Sequence, residues 1–373
     1  MFSFFLFSLV AHAAVISPRQ TTEWSDIPTD LFLAPFLFGS LGGPPPLIKY
    51  ESIRDLQPLL SKQAKRQLIR WGPFDVPGMS GPNDTAEYSA TMSMDPIGHV
   101  ISALLHDGLP KDVTIIAGKS DLVYADGVRA DISNGLYLHH LISSDASKPP
   151  PAWVNTCPGL AEFPLPSQLG NTFLGTGNDE AGVTYTNAQS NMKGGFYLKD
   201  DYMGLQVDVV NYDKTSKKIF VVFDVEFLEG RTGPDAMSVL LSLTGCSSPG
   251  FVLAAQEIML ESKDFRVFED GGIINAKGHL HDGGEYMELY LNDKLVCSSN
   301  ATYGGGSGTM KSDGKEWTTI SKMSECEDTI PVKKGDNISM KSRYNTVKHP
   351  LRQSLGEERE AMAMFSLTFL PSV

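Results

Sequence analysis

The chain has 373 residues with 31 basic and 44 acidic side chains, which gives a formal net charge of −13 at pH 7. An acidic surface without a Lys/Arg cluster repels a polyanion, so general binding to nucleic acid is excluded. Hydrophobic residues make up 41% of the chain, which is ordinary for a packed protein and excludes a disordered one. The 35 glycines and 23 prolines favour short strands separated by turns over long helices.

The amino terminus has the pattern of a secretion signal. Residues 1–10 are almost wholly apolar, and Ala11, His12 and Ala13 supply the small-x-small pattern that a signal peptidase cuts, so residues 1–14 are predicted to be a signal peptide. This stretch is too short for a membrane span, which needs about 20 apolar residues, and no later segment approaches that length. We therefore expect a secreted, extracellular protein without membrane contact, and we expect a monomer.

Two modifications of secreted chains are predicted. Secretion permits disulfides, so the four cysteines favour two bridges over a metal site. Of the three possible connectivities, we favour the one that joins Cys297 to Cys326 and Cys157 to Cys246. The asparagines in N-glycosylation sequons are Asn83, Asn300 and Asn337.

The rest of the chain divides into an irregular segment and a long β-rich region. Residues 15–85 are rich in Pro and Gly, with one stretch, Tyr50 to Arg70, whose apolar spacing favours a helix. We interpret residues 15–85 as an N-terminal arm or pro-segment. Short β-type runs separated by turn signals then continue to the carboxyl terminus. The predicted fold is all-β, with two jelly-roll-like β-sandwich domains in series at 86–200 and 201–373.

The motif His279-Leu280-His281 is the strongest chemical signal in the sequence. Residues i and i+2 of a strand project from the same face, so His279 and His281 can bind one metal ion while Leu280 packs the opposite way. The flanking Gly278 and Gly283 allow the backbone to turn near a bound ligand. The alternative interpretation is a hydrogen-bonded histidine pair without a metal.

Two weaker signals accompany this motif. Adjacent side chains point to opposite faces of a regular strand, so His139 and His140 can share an ion only where a bulge or another irregularity reorients one of them. Met362 and Met364 occupy one face of a further strand. Sulfur together with imidazole selects copper, particularly Cu(I), although methionine in a β-core usually serves only for packing.

These stretches carry a resemblance to a known family. The segments concerned are Lys277 to Gly284, Leu289 to Cys297, Ser321 to Cys326 and Lys334 to Asp336. They resemble the stress up-regulated nodulin-type domain of plants and fungi. That family in turn resembles peptidylglycine α-hydroxylating monooxygenase and dopamine β-monooxygenase, which are built from two β-sandwich domains with one copper on each, separated by a solvent-filled cleft. The resemblance spans roughly residues 113 to 371.

The resemblance implies two copper sites. By position, His279 and His281 match the ligands of the oxygen-activating copper, and Met362 matches its thioether ligand, with Met364 as the register alternative. His139 and His140 match two of the three ligands of the electron-delivering copper. The third histidine has no counterpart, because the chain has no histidine between residues 141 and 278. The remaining candidates for that ligand, among which the sequence does not choose, are His99, His106 and His349.

The function implied by the resemblance is that of a secreted copper-dependent monooxygenase. Such an enzyme hydroxylates a C–H bond of a small organic or peptide substrate with O₂, and the family suggests ascorbate as the reductant. One alternative is a non-catalytic secreted copper-binding glycoprotein, which the missing histidine fits. The other is a cupin-type metal enzyme, because His279, His281 and Glu285 have the spacing of a cupin metal motif.

Two acidic positions near these motifs are interpreted as follows. Asp282 either orients an imidazole as a hydrogen-bond acceptor or is a solvated turn residue. The run of charged residues from Glu357 to Glu360 is predicted to be solvated, and it precedes a buried strand.

Overall fold

Short strands make up nearly all the regular structure of the computed structural model, which describes residues 45–79, 93, 95, 97–158, 170–179, 182–186, 194–245, 249–305, 308–312, 315–354 and 357–372. The strands up to residue 229 are β1 (Leu47–Ile48), β2 (Tyr50–Leu56), β3 (Lys65–Val76), β4 (Gly98–Leu105), β5 (Val113–Val123), β6 (Leu136–Asp145), β7 (Asn171–Thr176), β8 (Gly182–Thr184), β9 (Phe196–Leu198), β10 (Met203–Asn211) and β11 (Lys217–Glu229). A 3₁₀ turn at Ile132–Asn134 precedes β6.

The strands after residue 229 complete the fold. They are β12 (Met237–Ser242), β13 (Gly250–Phe251), β14 (Glu257–Glu261), β15 (Phe265–Arg266), β16 (Gly271–Leu280), β17 (Gly284–Leu291), β18 (Lys294–Tyr303), β19 (Thr309–Ser312), β20 (Lys315–Thr318), β21 (Ile320–Met323), β22 (Glu325–Cys326), β23 (Ile330–Val332), β24 (Asn337–Asn345), β25 (Gln353–Ser354), β26 (Glu357–Glu358) and β27 (Ala361–Pro371). Within the described ranges, no helix is long and apolar enough to cross a membrane.

The first β-sandwich packs two sheets against each other. Their strand orders are β1-β4-β10-β6-β7 and β2-β3-β11-β5-β8, with β9 beside β5. Alternate residues of β11, such as Phe223 and Val225, point into the core, where Phe223 meets Trp71 of β3 at a ring-centroid distance of 5.1 Å. Each fully buried side chain of this size contributes roughly 1.5–3 kcal/mol by leaving water.

The second β-sandwich follows in the chain. Its sheets run β12-β27-β16-β22, with β13 and β23 at the sides, and β14-β24-β17-β18-β21, with β15 beside β24. Its core contains Phe365 and Phe369 of β27, and Trp153 from the connecting segment stacks on Phe369 at 4.4 Å. The all-β prediction of two sandwiches in series is therefore confirmed.

The sheet that contains β16 and β27 has both faces covered. Odd-numbered residues of β27, such as Phe365, enter the second core, whereas Ile274 of β16 and Leu370 of β27 pack into the core of the first sandwich. Strand periodicity therefore directs the even-numbered side chains of β27 towards the first sandwich. This contact brings the predicted metal ligands of the two halves together.

Three expectations about chain organisation are corrected. The stretch Tyr50 to Arg70 forms β2 and β3 instead of a helix, because β3 pairs with β11 and buries Ile69 and Trp71 on alternate positions. Strands β10 and β11 belong to the first sandwich, so the boundary between the sandwiches falls after Glu229 and not after residue 200. Strands β1 to β3 also place residues 47–76 of the predicted arm in that sandwich.

Some predicted features lie outside the described residues. These are the signal peptide at 1–14 and the sequon at Asn83. Cys246, the predicted partner of Cys157, also lies outside them. Cys157 itself is buried, and its backbone N–H donates to the side-chain oxygen of Asn155. The sequon residues Asn300 and Asn337 are both exposed, as a glycan requires.

The predicted disulfide between Cys297 and Cys326 is confirmed, and it joins β18 to β22 across a sequence separation of 29 residues. Closing a loop of this length restricts the unfolded chain, which stabilises the folded state by about 3–4 kcal/mol. We expect the double variant Cys297→Ser, Cys326→Ser to lose this free energy of unfolding in urea denaturation. Reduction of the unaltered protein with a dithiol is the matched control, and an unchanged unfolding midpoint contradicts the prediction.

Asp145, at the end of β6, gives the fold a pH dependence. Burial raises the pKa of its carboxyl group to about 7, despite Lys148 at 3.6 Å. An unfolded aspartate has a pKa near 3.9, so the native state binds the extra proton and stability falls as the pH rises from about 4 to about 7. We expect Asp145→Asn to raise the free energy of unfolding by more at pH 8 than at pH 4, with a difference on the order of 4 kcal/mol in urea unfolding. The exposed Asp55→Asn is the control, and a pH-independent effect of Asp145→Asn contradicts the prediction.

Candidate metal centre

A bulge in β6 places two adjacent histidines on the same side of the sheet. In the pairing of β6 with β10, His140 lies opposite Asp208 and Leu138 lies opposite Val209, so His139 is an extra residue without a cross-strand partner. The rings of His139 and His140 stack with centroids 4.3 Å apart. This is the irregularity that the sequence required for both imidazoles to face one site.

The second histidine pair lies at the end of β16 and follows strand alternation. Leu280 is buried in the second core, whereas His279 and His281 point away from it. His279 lies opposite Met364 of β27, and the backbone N–H of His281 donates to the carbonyl oxygen of Met362 at 3.1 Å. Both methionines therefore lie on the same face of the sheet as the two histidines.

The four histidines meet in one cluster. The Nε2 atom of His140 lies 3.2 Å from Nε2 of His279 and 3.4 Å from Nε2 of His281. One ring nitrogen from each of His139, His140 and His281 lies within 4.8 Å of the others. The resemblance had implied two separate copper sites. In the structure, the histidine side chains of β6 reach those at the end of β16, and both pairs form one cluster.

The spacing of these nitrogens fits a bound metal ion. Two nitrogens held at about 2.0–2.1 Å by one tetrahedral ion lie about 3.3 Å from each other. The distances from His140 to His279 and His281 match that value. In addition, Nε2 of His139 is buried without a hydrogen-bond partner. Without an ion, the nitrogen lone pairs of neighbouring imidazoles face one another. A cation bound between the rings accepts these lone pairs.

Carboxylate and carbonyl groups hold three of the rings in place. Nδ1 of His139 lies 3.2 Å from the carboxylate of Asp208, and Nδ1 of His279 lies 3.5 Å from that of Asp179. Nδ1 of His281 lies 3.2 Å from the carbonyl oxygen of Glu360. These acceptors favour the tautomer with the proton on Nδ1, which leaves the Nε2 lone pair free for a metal.

The protonation states of two of the rings, His140 and His281, agree with metal binding. Burial lowers the pKa of His281 to about 4, and burial together with the neighbouring imidazoles lowers the pKa of His140. Both rings are therefore neutral at pH 7, the form that coordinates a metal. Burial also acts to lower the pKa of His139, but the nearby carboxylates of Asp208 and Glu360 outweigh it and raise the pKa.

Glu360 sits between two rings of the cluster. Its Oε1 atom lies 3.4 Å from Nε2 of His139 and 3.4 Å from Nδ1 of His281. Burial acts to raise the pKa of this carboxyl group, but hydrogen bonds from the two imidazoles outweigh it and hold the pKa well below its usual range. The carboxylate therefore adds negative charge beside the centre, which favours a cation there.

A cavity of about 340 Å³ opens beside the cluster, between the two sandwiches. His140 and Phe173 line it from the first sandwich, and His279, Met362 and Met364 line it from the second. Most of its surface is apolar. A small organic molecule bound there contacts two of the clustered histidines and both predicted thioether residues.

The other candidate ligands have different surroundings. His106 lies 2.7 Å from Asp200, and His349 stacks on Tyr303 at 3.8 Å. His99 lies on β4 opposite Val209. The cupin-type Glu285 forms an ion pair with Lys348 at 2.9 Å instead of joining the histidines.

Asp282 is neither a solvated turn residue nor the acceptor of an imidazole proton in the described contacts. It is buried and accepts hydrogen bonds from Nε1 of Trp317 at 3.1 Å and from the hydroxyl of Thr319 at 2.7 Å. Asp282 thus anchors the β19–β20 hairpin, which carries Trp317, beside the cluster.

Sequence reasoning missed the three carboxylates around the histidines, which are Asp179, Asp208 and Glu360. Glu360 was assigned to a solvated charge run, yet it contacts two rings. Its position two residues before Met362 was the available signal, because strand spacing puts both side chains on one face. Asp179 and Asp208 carried no comparable signal, since only β7 and β10 bring them to the site.

Comparison with known proteins finds a matching family profile and two sequence relatives. Residues 183–352 match the sequence profile described as Stress up-regulated Nod 19, which confirms the resemblance predicted from the sequence. Over 293 residues the chain is 22% identical to "Probable copper-dependent oxygenase M1" of a Phoma species, covering 78% of this chain and 68% of that protein. It is 24% identical over 234 residues to "Probable copper-dependent oxygenase clz3" of Cochliobolus lunatus, covering 62% of this chain and 70% of that protein.

Among solved structures, the chain is similar to peptide:N-glycanase F. The TM-score is 0.37 at 10% sequence identity, and the alignment covers 82% of this chain and 96% of that chain.

The names of the sequence relatives support an oxidoreductase-like function and copper as the metal.

Proposed function

We propose that this protein is a secreted copper-dependent oxygenase that hydroxylates a C–H bond of a small organic or peptide molecule, with dioxygen and an external reductant such as ascorbate. The observation that carries the proposal is the convergence of ring nitrogens from His139, His140 and His281 within 4.8 Å, with His279 beside them. Imidazole is a suitable ligand for copper, and thioether sulfur selects Cu(I).

The residues of the chain have distinct tasks in this reaction. His139, His140 and His281 hold the metal, and His279, at 3.2 Å from His140, completes the cluster on the side of the cavity. Bound copper supplies the redox chemistry with dioxygen, in which one oxygen atom enters the product and the other leaves as water at the expense of two electrons. Asp208 orients His139, and Glu360 offsets the charge of the metal.

The cavity defines where the substrate lies. Phe173, Met362 and Met364 exclude water from one side of it, which favours an apolar carbon skeleton beside His140 and His279. A molecule that fits about 340 Å³ is small, so a peptide enters only with one side chain or its terminus.

Metal analysis and oxygen uptake of the purified full-length protein test this function. We expect one copper per chain and ascorbate-dependent O₂ consumption that a His281→Ala variant loses. Iron, manganese or zinc in place of copper favours the cupin-type alternative. Copper without O₂ consumption favours the non-catalytic copper-binding glycoprotein, and either result contradicts the proposal.

A further inference from the structure

A chain of aromatic rings leads from the histidine cluster to the protein surface. The ring centroid of Tyr137 lies 5.7 Å from that of His139, and the ring of Trp317 lies 5.5 Å from that of Tyr137. Tyr137 is buried, whereas Trp317 is only half-buried. Two direct ring contacts thus connect a predicted metal ligand to a side chain that solvent reaches.

Tyr137 and Trp317 differ in their electrostatic surroundings. The guanidinium group of Arg352 lies 5.1 Å from the ring centroid of Tyr137, and it disfavours a positive charge on that ring. Nε1 of Trp317 donates to the carboxylate of Asp282 at 3.1 Å, and the carboxylate favours a positive charge on the indole. Loss of one electron is therefore easier at Trp317 than at Tyr137.

A copper centre that reacts with an oxidant in the absence of substrate needs a source of one more electron. The groups at risk of oxidation include its own imidazole ligands, and their oxidation destroys the site. A more distant ring that dissolved reductants can reach protects those ligands when it supplies the electron in their place.

We propose that Tyr137 and Trp317 form an electron relay that reduces the oxidised metal centre when no substrate is bound. This inference rests on the proposed function, because it requires copper at the histidine cluster. Trp317 is the residue that loses the electron, and the ring of Tyr137 bridges it to His139. The packing of Tyr137 with Ile97, Ile132 and Val210 keeps the bridge in place.

The electrons balance for hydrogen peroxide as the oxidant. Breaking the O–O bond of one peroxide to form two waters consumes two electrons and two protons. Reduced copper supplies one electron, Trp317 supplies the other through Tyr137 and His139, and solvent supplies the protons. A water-soluble one-electron donor such as ascorbate then returns one electron to Trp317, and no bond between heavy atoms of the protein changes.

Electron paramagnetic resonance of the copper-loaded, full-length protein tests the relay. The protein is reduced with ascorbate, freed of excess reductant, mixed with hydrogen peroxide without substrate and frozen. We expect a tryptophan radical whose spectrum narrows when the protein contains ring-deuterated tryptophan, and we expect Trp317→Phe to lose it. Trp153→Phe is the matched control, because Trp153 is buried in the second core against Phe369, and this variant keeps the radical.

Two further measurements separate a relay from simple packing. Tyr137→Leu leaves Trp317 in place but removes the bridging ring, so the radical is lost again. Peptide mass spectrometry after peroxide treatment is expected to find more oxidation of His139 and His140 in Trp317→Phe than in Trp153→Phe.

Contrary results are distinct from failure of the proposed function. Copper bound at the wild-type stoichiometry, with an unchanged radical in Trp317→Phe, overturns the relay alone. A tryptophan radical that disappears in Trp153→Phe instead also overturns it. Absence of copper binding to the unaltered protein overturns both the relay and the proposed function.

Discussion

We expect the His140→Ala variant to lose more than about 100-fold in copper affinity. Removing a group that only hydrogen-bonds to a metal ligand costs up to about 100-fold, and removing a ligand itself costs more. The reason is the central position of this ring, whose Nε2 atom lies 3.2 Å from His279 and 3.4 Å from His281. Losing it removes one ligand directly and separates the remaining imidazoles. Competition with a chromogenic Cu(I) chelator measures the affinity.

The matched control for this variant is His106→Ala. His106 stacks on Tyr202 at 4.1 Å and pairs with Asp200, away from the cluster, so its removal leaves the copper affinity unchanged. An equal loss in both variants, or no loss in His140→Ala, contradicts the assignment of His140. Loss of only half of the bound copper in His140→Ala indicates two independent sites instead of one.

The Arg352→Met variant is expected to lose about 3–5 kcal/mol of the free energy of unfolding, the usual cost of removing one member of a buried ion pair. Arg352 is 6% exposed and pairs with Asp95, which is 0% exposed. It also donates to the hydroxyl of Tyr212 at 3.1 Å. The variant takes the guanidinium partner away from the buried Asp95 carboxylate, and urea denaturation measures the loss.

A surface ion pair supplies the control for Arg352→Met. Lys341 pairs with Glu261 at 2.7 Å, but the two side chains are 36% and 60% exposed, so solvent screens the pair and Lys341→Met is expected to leave the unfolding midpoint nearly unchanged. In the double variant Asp95→Leu, Arg352→Met, no unpaired charge remains and much of the lost stability returns. Equal losses in Arg352→Met and Lys341→Met contradict the prediction.

The histidine motifs were visible in the sequence because strand geometry is local. The alternation of His279, Leu280 and His281 predicts one buried apolar residue between two ligands, and the structure confirms that Leu280 enters the core. For His139 and His140, alternation predicted that a bulge was needed, and the pairing of β6 with β10 contains it. What the sequence did not reveal is the bulge itself, because it depends on the register of the partner strand.

The helix expected over Tyr50 to Arg70 shows the limit of local patterns. Apolar residues at helical spacing were present, but the contacts of β3 with β11 decided the conformation. Glu360 shows the same limit for the site. A charge run is normally solvated, but the tertiary structure places this carboxylate between the imidazoles of His139 and His281.

By itself, the sequence predicted the fold class and the residue types that select copper, and it favoured the disulfide between Cys297 and Cys326 among three possible connectivities. These follow from spacings of one or two residues, from composition and from the resemblance of short motifs. Only the tertiary structure decided that both histidine pairs form one centre, because the distance between positions 140 and 279 depends on how two sandwiches pack. Contacts across that interface connect residues more than a hundred positions apart, and local sequence patterns carry no information about them.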